Sequence, residues 1–366
     1  MAFFYKKGIF IGVMNLMFLF SLSLEARMDS VPGSRYTAVR AAGLADAFLP
    51  LVDDGGEALF YNPALIGHLK RTHLELFNLQ ILGNSNFLND LNLSSYKVVK
   101  LESFKSELQE NTGKNLGAGI SLFPNFFFRG FAAGVFLQSR VIAKHSGDEI
   151  EYRSLYEVIP AVGGAIRLAR GIVKLGYSLH WVNQAYGQAT VSQDSSSLGY
   201  ENGIYKGSGM SHNFGFSLTL PYNHLPAFNL VARNIGGVSY TTSSLVPFGE
   251  NTAGAPPDEE SSFDASFSFQ SKIGKGGYYN FVLQARDLTN RSNMPWGVRA
   301  AFGFEVSFRD NLFFRVGYGS GYPSAGIALR RKKSEFSLSW YSEELGTAID
   351  RNRNINILLQ YQLRVF

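Results

Sequence analysis

Asn354-Ile355-Asn356-Ile357-Leu358-Leu359-Gln360-Tyr361-Gln362-Leu363-Arg364-Val365-Phe366 closes the chain. Ile355, Ile357, Leu359, Tyr361, Leu363 and Val365 form one unbroken apolar row, and Asn356, Gln360, Gln362 and Arg364 form the other face. Period two is the signature of a β-strand. In water such a strand gains nothing from a continuous greasy stripe, whereas a strand with one face in hydrocarbon requires it. The terminal Phe366 falls one step out of phase with the row.

The same pattern recurs upstream in about fourteen segments, an even count as a single-chain bacterial barrel requires. They are expected over Thr72–Ile81, Leu116–Phe123, Phe126–Ile142, Glu151–Ala169, Gly171–Tyr186, Gly209–Leu220 and Pro226–Ile235. The second half adds Ser262–Ile273, Tyr278–Leu288, Gly297–Phe308, Asn311–Gly319, Ser324–Arg330, Ser334–Ser342 and Asn354–Phe366. Connections at Pro124-Asn125, Arg170, Tyr222–Leu225, Gly274–Gly277, Arg309-Asp310 and Arg331–Lys333 are tight, and those at Leu82–Asn115, Gly187–Ser208 and Gly236–Ser261 are long. Strict alternation of the two sets predicts an up-and-down barrel with tight turns and both chain ends in the periplasm. A soluble β-sandwich or propeller is the rival, but neither sorts connection length by parity. Within Leu82–Asn115, Leu101, Phe104 and Leu108 share one helical face.

Lys6 and Lys7 precede an apolar run from Gly8 to Leu24 and a small residue at Ala26, the layout of a signal peptide over residues 1–26. A retained N-terminal anchor is the alternative. Downstream no run reaches the ~18 apolar residues of a spanning helix. The 31 Phe, 18 Tyr and 38 Gly suit interfacial aromatic girdles and curved strands. Without cysteine there is neither a disulfide nor a thiolate metal site. The net charge of +5 falls to +4 once Lys6, Lys7 and Glu25 leave with the signal, and the scattered cations argue against nucleic acid as a partner.

Magnitude fixes which strand face points inward. An arginine at the bilayer midplane costs about 2–4 kcal/mol, so turning over the strands that carry Arg286, Arg299 and Arg315 would cost about 6–12 kcal/mol. These three share a phase with Gln284, Glu305 and Gly317, opposite Leu283, Phe302, Phe304, Phe314 and Val316. Lys174, His180, Asp264 and Gln270 follow the same logic. A polar lumen with both signs of charge and a basic excess is expected. A bore of fourteen strands either conducts or is blocked, and the roughly forty-five strandless residues 27–71 before the first strand are expected to fold inward as a plug.

Several stretches resemble the FadL-like family of outer-membrane hydrophobic-compound transporters, with its PorV-like relatives. They are Ala41-Ala42-Gly43, Leu44-Ala45-Asp46-Ala47, Asp53-Asp54, Phe60-Tyr61-Asn62-Pro63-Ala64-Leu65, Gly321-Tyr322-Pro323-Ser324-Ala325-Gly326, Tyr341-Ser342-Glu343-Glu344-Leu345-Gly346 and Asp350-Arg351. The resemblance implies fourteen strands, an N-terminal hatch ending in Asn-Pro-Ala, and a helical first extracellular loop. It also implies passage of hydrophobic molecules through the barrel wall or hatch; some relatives instead act as attachment or shuttle partners for secreted proteins.

Three groups of residues carry this expectation. Asn62, Pro63 and Ala64 form a mobile hatch element or simply a turn that launches the first strand. Asp53 and Asp54 either latch the plug to lumen arginines or sit as exposed turn residues. Pro160 removes a ladder donor, and with Gly163, Gly164 and, one strand earlier, Gly130 and Gly134, it marks a weak patch in the wall. There an apolar ligand could leave sideways into lipid, or the wall merely bends. Arg286, Arg299, Arg315, Lys174 and His180 are the candidates for an anionic head group.

Enzyme signatures are absent: there is no nucleophile elbow, metal-spaced histidine pair or P-loop, and Gly317-x-Gly319-x-Gly321 is a turn signal. No cofactor is expected. The sequence therefore points to an all-β, 14-stranded antiparallel transmembrane barrel, residues 72–366, with residues 27–71 as hatch. Its expected place is the bacterial outer membrane and its expected task the passive uptake of hydrophobic or amphipathic, fatty-acid-like molecules. The alternative is a structural or secretion-associated barrel that docks a protein partner at its loops or hatch.

Overall fold

The computed structural model describes residues 34–53, 55–68, 72–86, 112–192, 203–247, 249–274, 276–346 and 352–365. The expected signal peptide, Asp54, the row Leu101, Phe104 and Leu108, and Phe366 lie outside the described residues.

Fifteen strands form one antiparallel sheet closed on itself: β1 (His73–Asn84), β2 (Asn115–Leu122), β3 (Asn125–Phe128), β4 (Phe131–Ser146), β5 (Glu149–Leu168), β6 (Val173–Ser192), β7 (Ile204–Thr219), β8 (Ala227–Arg233), β9 (Ser262–Ile273), β10 (Gly277–Ala285), β11 (Ala300–Phe308), β12 (Leu312–Gly319), β13 (Tyr322–Arg330), β14 (Ser334–Glu344) and β15 (Arg353–Arg364). Because β2 and β3 both lie between β1 and β4, they are two halves of one stave broken at Phe123-Pro124, and the wall has fourteen staves. β15 pairs with β1 from Glu75↔Arg364 to Asn84↔Asn356 and leaves no open edge, with a bulge at Leu76. No helix among the described residues is long and apolar enough to cross a membrane.

The inside–outside code is that of the sequence. In β12, Phe314, Val316 and Tyr318 face out while Arg315, Gly317 and Gly319 face in; in β14, Phe336 and Trp340 face out while Glu335, Ser337 and Ser339 face in. The closing strand keeps its predicted phase, with Asn354, Asn356, Gln360 and Gln362 buried.

Three expectations need correction. The first hairpin turns at Arg129-Gly130, where Gly130 has φ +80, and not at Pro124-Asn125. Proline ends the β2 ladder with β1, but the chain resumes in the same register with β4, so it breaks a stave without reversing it. Connection length does not alternate strictly either. Tight turns also occur at Gly147-Asp148 and Ser320-Gly321, at the end that carries the long connections. The other end is uniformly short, and there the chain enters β1 and leaves β15. Finally, β11 begins at Ala300, because Trp296–Arg299 is a helical turn, labelled α3 below.

The wall is uneven. β4 to β7 run 16 to 20 residues each, whereas β11 to β13 run 8 or 9, close to the ~9–11 residues needed to cross hydrocarbon. Inside this wall lies the segment 34–68, folded as α1 (Val39–Gly43), α2 (Gly55–Phe60) and a 3-10 turn (Pro63–His68). It touches opposite sides of the ring: α1 packs on β13 and β14, α2 on β3 and β4, and the 3-10 turn on β5, β6 and β7. Tyr36, Phe48, Leu49, Leu59 and Ile66 are fully buried.

Candidate functional site

The interior where segment 34–68 meets the wall divides into a charged side and an apolar side. On the charged side Arg40 of α1 grips Glu305 of β11 with two hydrogen bonds of 2.9 and 2.7 Å, and Arg315 of β12 bonds the same carboxylate at 2.8 Å. Arg40 also pairs with Asp53 at 2.8 Å, and Asp53 with Arg330 at 3.6 Å. Burial alone would raise the Asp53 carboxyl. The Arg40 and Arg330 guanidiniums outweigh it and hold the group well below the usual carboxylate range. Asp46 is the opposite case, since its burial outweighs Arg286 at 3.2 Å and raises its pKa. Wall side chains bond the segment's backbone here as well: Ser339 donates to the Val39 carbonyl at 2.6 Å, and Gln284 accepts from the Phe48 and Leu49 amides.

Two inward glycines set how close the backbone can come. A Cβ on Gly317 would lie 2.3 Å from the Leu44 carbonyl carbon, and one on Gly176 would lie 2.2 Å from the Pro63 carbonyl. Beside Gly317 the segment passes through Ala45 and Asp46, both left-handed at φ 53 and 68. That is uphill for an alanine, so the seat fixes a conformation the chain would not choose alone.

The Asn62-Pro63-Ala64 turn is buried against β6 and β7. Asn62 accepts from the Ala64 amide at 3.2 Å, and its amide nitrogen donates to the Leu49 carbonyl and to Asn229, each at 3.2 Å. Nearby, His180 and Ser178 donate to the Leu59 carbonyl at 2.9 Å, and Arg233 donates to the Phe60 carbonyl at 2.6 Å while pairing with Asp264.

Across the bore the lining changes character. Tyr36 and Phe60 of the segment meet Phe123 and Phe136 of the wall, with ring centroids 5.0 to 5.9 Å apart. Phe127, Ala132, Ile159, Ala161 and Val182 extend the same cluster along β3 to β6. Inward positions that are Ser, Asn or Glu elsewhere are thus hydrocarbon on this side, and at its back the ladder is interrupted. The β5–β6 ladder runs to Val158↔Asn183 and resumes at Ala161↔His180 in the same register, with no pairing at Ile159 and Pro160. Two staves away, Phe123-Pro124 breaks the β2–β3 stave, which stays bonded to β4 through the Val135 amide and the Pro124 carbonyl at 3.0 Å. Gly134 lies against Phe123, and Gly163 against Leu59 and Ile66. Pro160, Gly163 and Gly134 therefore converge here, whereas Gly130 belongs to the turn and Gly164, paired with Phe131, lies one position off the inward row.

The candidate head-group residues do not assemble into a free cationic site. Arg299 lies in α3 beyond the strand end, stacked on Trp296 and donating to the Met294 and Asp287 carbonyls. Its phase is inward, but its height is wrong. Lys174 bonds Thr219, and His180 bonds the segment's backbone. Arg286 and Arg315 face Asp46 and Glu305, and Arg35, Arg140, Arg233 and Arg330 are likewise matched to carboxylates. The expected basic excess is absent among these residues, because Glu157, Glu259, Asp264, Glu305, Glu335 and Glu343 answer it. Sequence reasoning missed Arg35 and Arg40. The usable signal was a charged residue in a segment expected to be enclosed, which must find a partner.

A recess of about 60 Å³ is lined in part by Thr37, Asp46, Tyr61, Arg286, Tyr322 and Glu344. A dry cavity of ~150 Å³ is what takes up benzene.

No family model matches the sequence, and no curated protein matches it. Solved structures do. The Pseudomonas putida toluene transporter TodX matches at 10% identity over 92% of this chain and 99% of that one, with a TM-score of 0.54. A second TodX structure matches at 11% identity over 88% and 98%, with a TM-score of 0.47, and the outer membrane phospholipase A of Escherichia coli at 12% over 89% and 98%, with 0.30. This chain shares the fold of the first: a closed fourteen-stave transmembrane β-barrel.

Proposed function

We propose that this barrel sits in the outer membrane with its tight turns and both chain ends in the periplasm, and passively admits small hydrophobic molecules. Segment 34–68 acts as a hatch. A ligand enters from the long-connection end, displaces the apolar edge of the hatch and leaves sideways between β5 and β6. No bond is made or broken, and no cofactor takes part.

The observation that carries the proposal is the coincidence of three features on one side of the bore. These are the buried aromatic cluster of Tyr36, Phe60, Phe123 and Phe136, the broken stave at Phe123-Pro124, and the unpaired ladder at Pro160. Backbone without its ladder bonds is where a wall separates at least cost. The fold of a toluene transporter is consistent with this. The pairing of lumen arginines with carboxylates favours an uncharged ligand over a fatty acid, since an acyl carboxylate would have to displace Glu305 or Asp46 to find a cation.

Uptake of radiolabelled toluene into cells or proteoliposomes tests the proposal. Pro160→Val returns a ladder donor at the break, and toluene uptake is expected to fall severalfold while the barrel still folds. Unchanged uptake would sink the sideways exit.

Docking of a protein partner has one observation in its favour: segment 34–68 fills the bore with fully buried side chains such as Tyr36, Phe48 and Leu49. A stoichiometric partner that co-purifies, together with no uptake of any apolar probe, would place docking first.

A further inference from the structure

The tight-turn end carries a charge pattern that transport does not use. Arg129 lies in the β3–β4 turn, Arg170 at the β5–β6 turn, Arg309 in the β11–β12 turn, and Arg331 and Lys332 in the β13–β14 turn; all five are exposed. Arg167 is exposed as well, but it pairs in register with Lys174 and its stem lies against Gly67, so it faces the mouth of the bore. None forms an ion pair among the described residues. Asp310 is the one exposed carboxylate within those turns. The long-connection end has the opposite balance, with Asp148, Glu149, Glu151, Glu250, Asp258 and Glu260 exposed against Lys114, Arg291 and Arg353.

These cations are interleaved with the edge of the lipid-facing band. Phe128 and Phe131 flank Arg129, Leu168 lies two residues before Arg170, Phe308 precedes Arg309, and Leu329 lies two residues before Arg331; all of these apolar side chains are exposed. They are the last outward side chains before each turn, so their rings and methyls end where hydrocarbon ends. An arginine or lysine one or two residues further along extends its stem over that boundary and places its charge at the level of the phosphates. A soluble acidic protein would meet the cations but leave the interleaved Phe, Ile and Leu without an apolar partner. A lipid satisfies both, with its chains on the apolar residues and its phosphate on the guanidinium.

We propose that this rim is a binding surface for the phosphates of anionic phospholipids, in the leaflet facing the periplasm given the orientation stated above. A ring of such contacts holds the barrel at a fixed depth, and the sign difference between its ends sets it against inversion.

Native mass spectrometry of the full chain tests this, with the protein extracted into detergent and offered mixed micelles of phosphatidylglycerol and phosphatidylcholine. The wild-type chain is expected to retain phosphatidylglycerol preferentially and to release it as salt rises. Retention should fall about fivefold for each charge removed in Arg331→Gln/Lys332→Gln and in Arg129→Gln/Arg170→Gln. Lys114→Gln/Arg291→Gln at the opposite end should retain as much as wild type. Equal retention of the two lipids, or rim variants that hold phosphatidylglycerol as well as wild type, overturns the proposal. Should a rim variant fail to fold, salt release from the wild-type chain decides alone. Toluene uptake is read separately, so failure of this proposal leaves the transport proposal standing, and the reverse.

Discussion

Two sides of one bore hold the same segment in different ways. Near β11 to β14 the contacts are directional: Arg40 on Glu305, Ser339 on the Val39 carbonyl, and the Leu44 carbonyl set into the space beside Gly317. Near β2 to β5 they are mostly aromatic rings and methyls on an apolar wall, bordered by the Ser178 and His180 hydrogen bonds to the Leu59 carbonyl and by the Arg35–Glu157 pair, and the β5–β6 ladder behind them is interrupted. Directional contacts in low dielectric are strong when complete and costly when one member is lost. Apolar contacts tolerate exchange, since a hydrophobic ligand can replace what a displaced Phe60 gives up. On the function proposed above, the charged side anchors the segment and the apolar side gives passage.

Breaking the anchor by bulk should have the largest effect. Gly317→Val puts side-chain atoms where the Leu44 backbone lies, and the hatch is expected to leave its seat, changing a closed barrel into one with steady single-channel conductance in planar bilayers. A silent channel would show that the hatch is not anchored there. Next is Glu305→Ala, which leaves Arg40 and Arg315 buried without their shared carboxylate. Loss of about 3–5 kcal/mol is expected, read as faster proteolysis within residues 34–68 while the barrel itself resists. Ser339→Ala should cost only about 1 kcal/mol by the same measurement, the net worth of one hydrogen bond.

The smallest effect is that of pH. A carboxylate whose folded pKa is depressed stabilises the folded form above its unfolded pKa, near 3.9, and that contribution is lost as pH falls towards the folded value. The Asp53 latch should therefore hold throughout the neutral range and weaken only below about pH 4. Since its side chain is 40% exposed, solvent screening keeps the change small. Asp53→Asn should remove this acid sensitivity, and proteolysis across a pH series would record it.

How much of this was legible in the sequence depends on how local the cause is. The closing strand was legible over Asn354–Arg364, because period two in hydrocarbon leaves no other assignment. Arg315 and Glu305 were placed inward by a cost argument that needs no tertiary knowledge, and both are buried in the bore. The Phe123-Pro124 break was misassigned as a turn, since a proline that interrupts a stave and a proline that opens a hairpin look alike until the partner strand is known. Arg299 was misassigned because strand phase continues through a helical turn on paper while the chain has already left the wall. Convergence of Pro160, Gly163 and Gly134 on one weak patch follows from adjacent staves and could be anticipated. The aromatic cluster could not, because Tyr36 and Phe60 meet Phe123 and Phe136 only once the segment has folded into the bore.

The central claim is that passage needs movement on the apolar side alone, and the cysteine-free chain permits a direct measurement. Paired cysteines at Leu59 and Gly163 tie the hatch to the wall on the apolar side, and at Val39 and Ser339 on the charged side. Each pair is closed with a short bifunctional reagent before toluene uptake is measured. Uptake should stop when 59 is tied to 163 and continue when 39 is tied to 339. Undiminished uptake with 59 tied to 163, or arrest only with 39 tied to 339, would contradict the account.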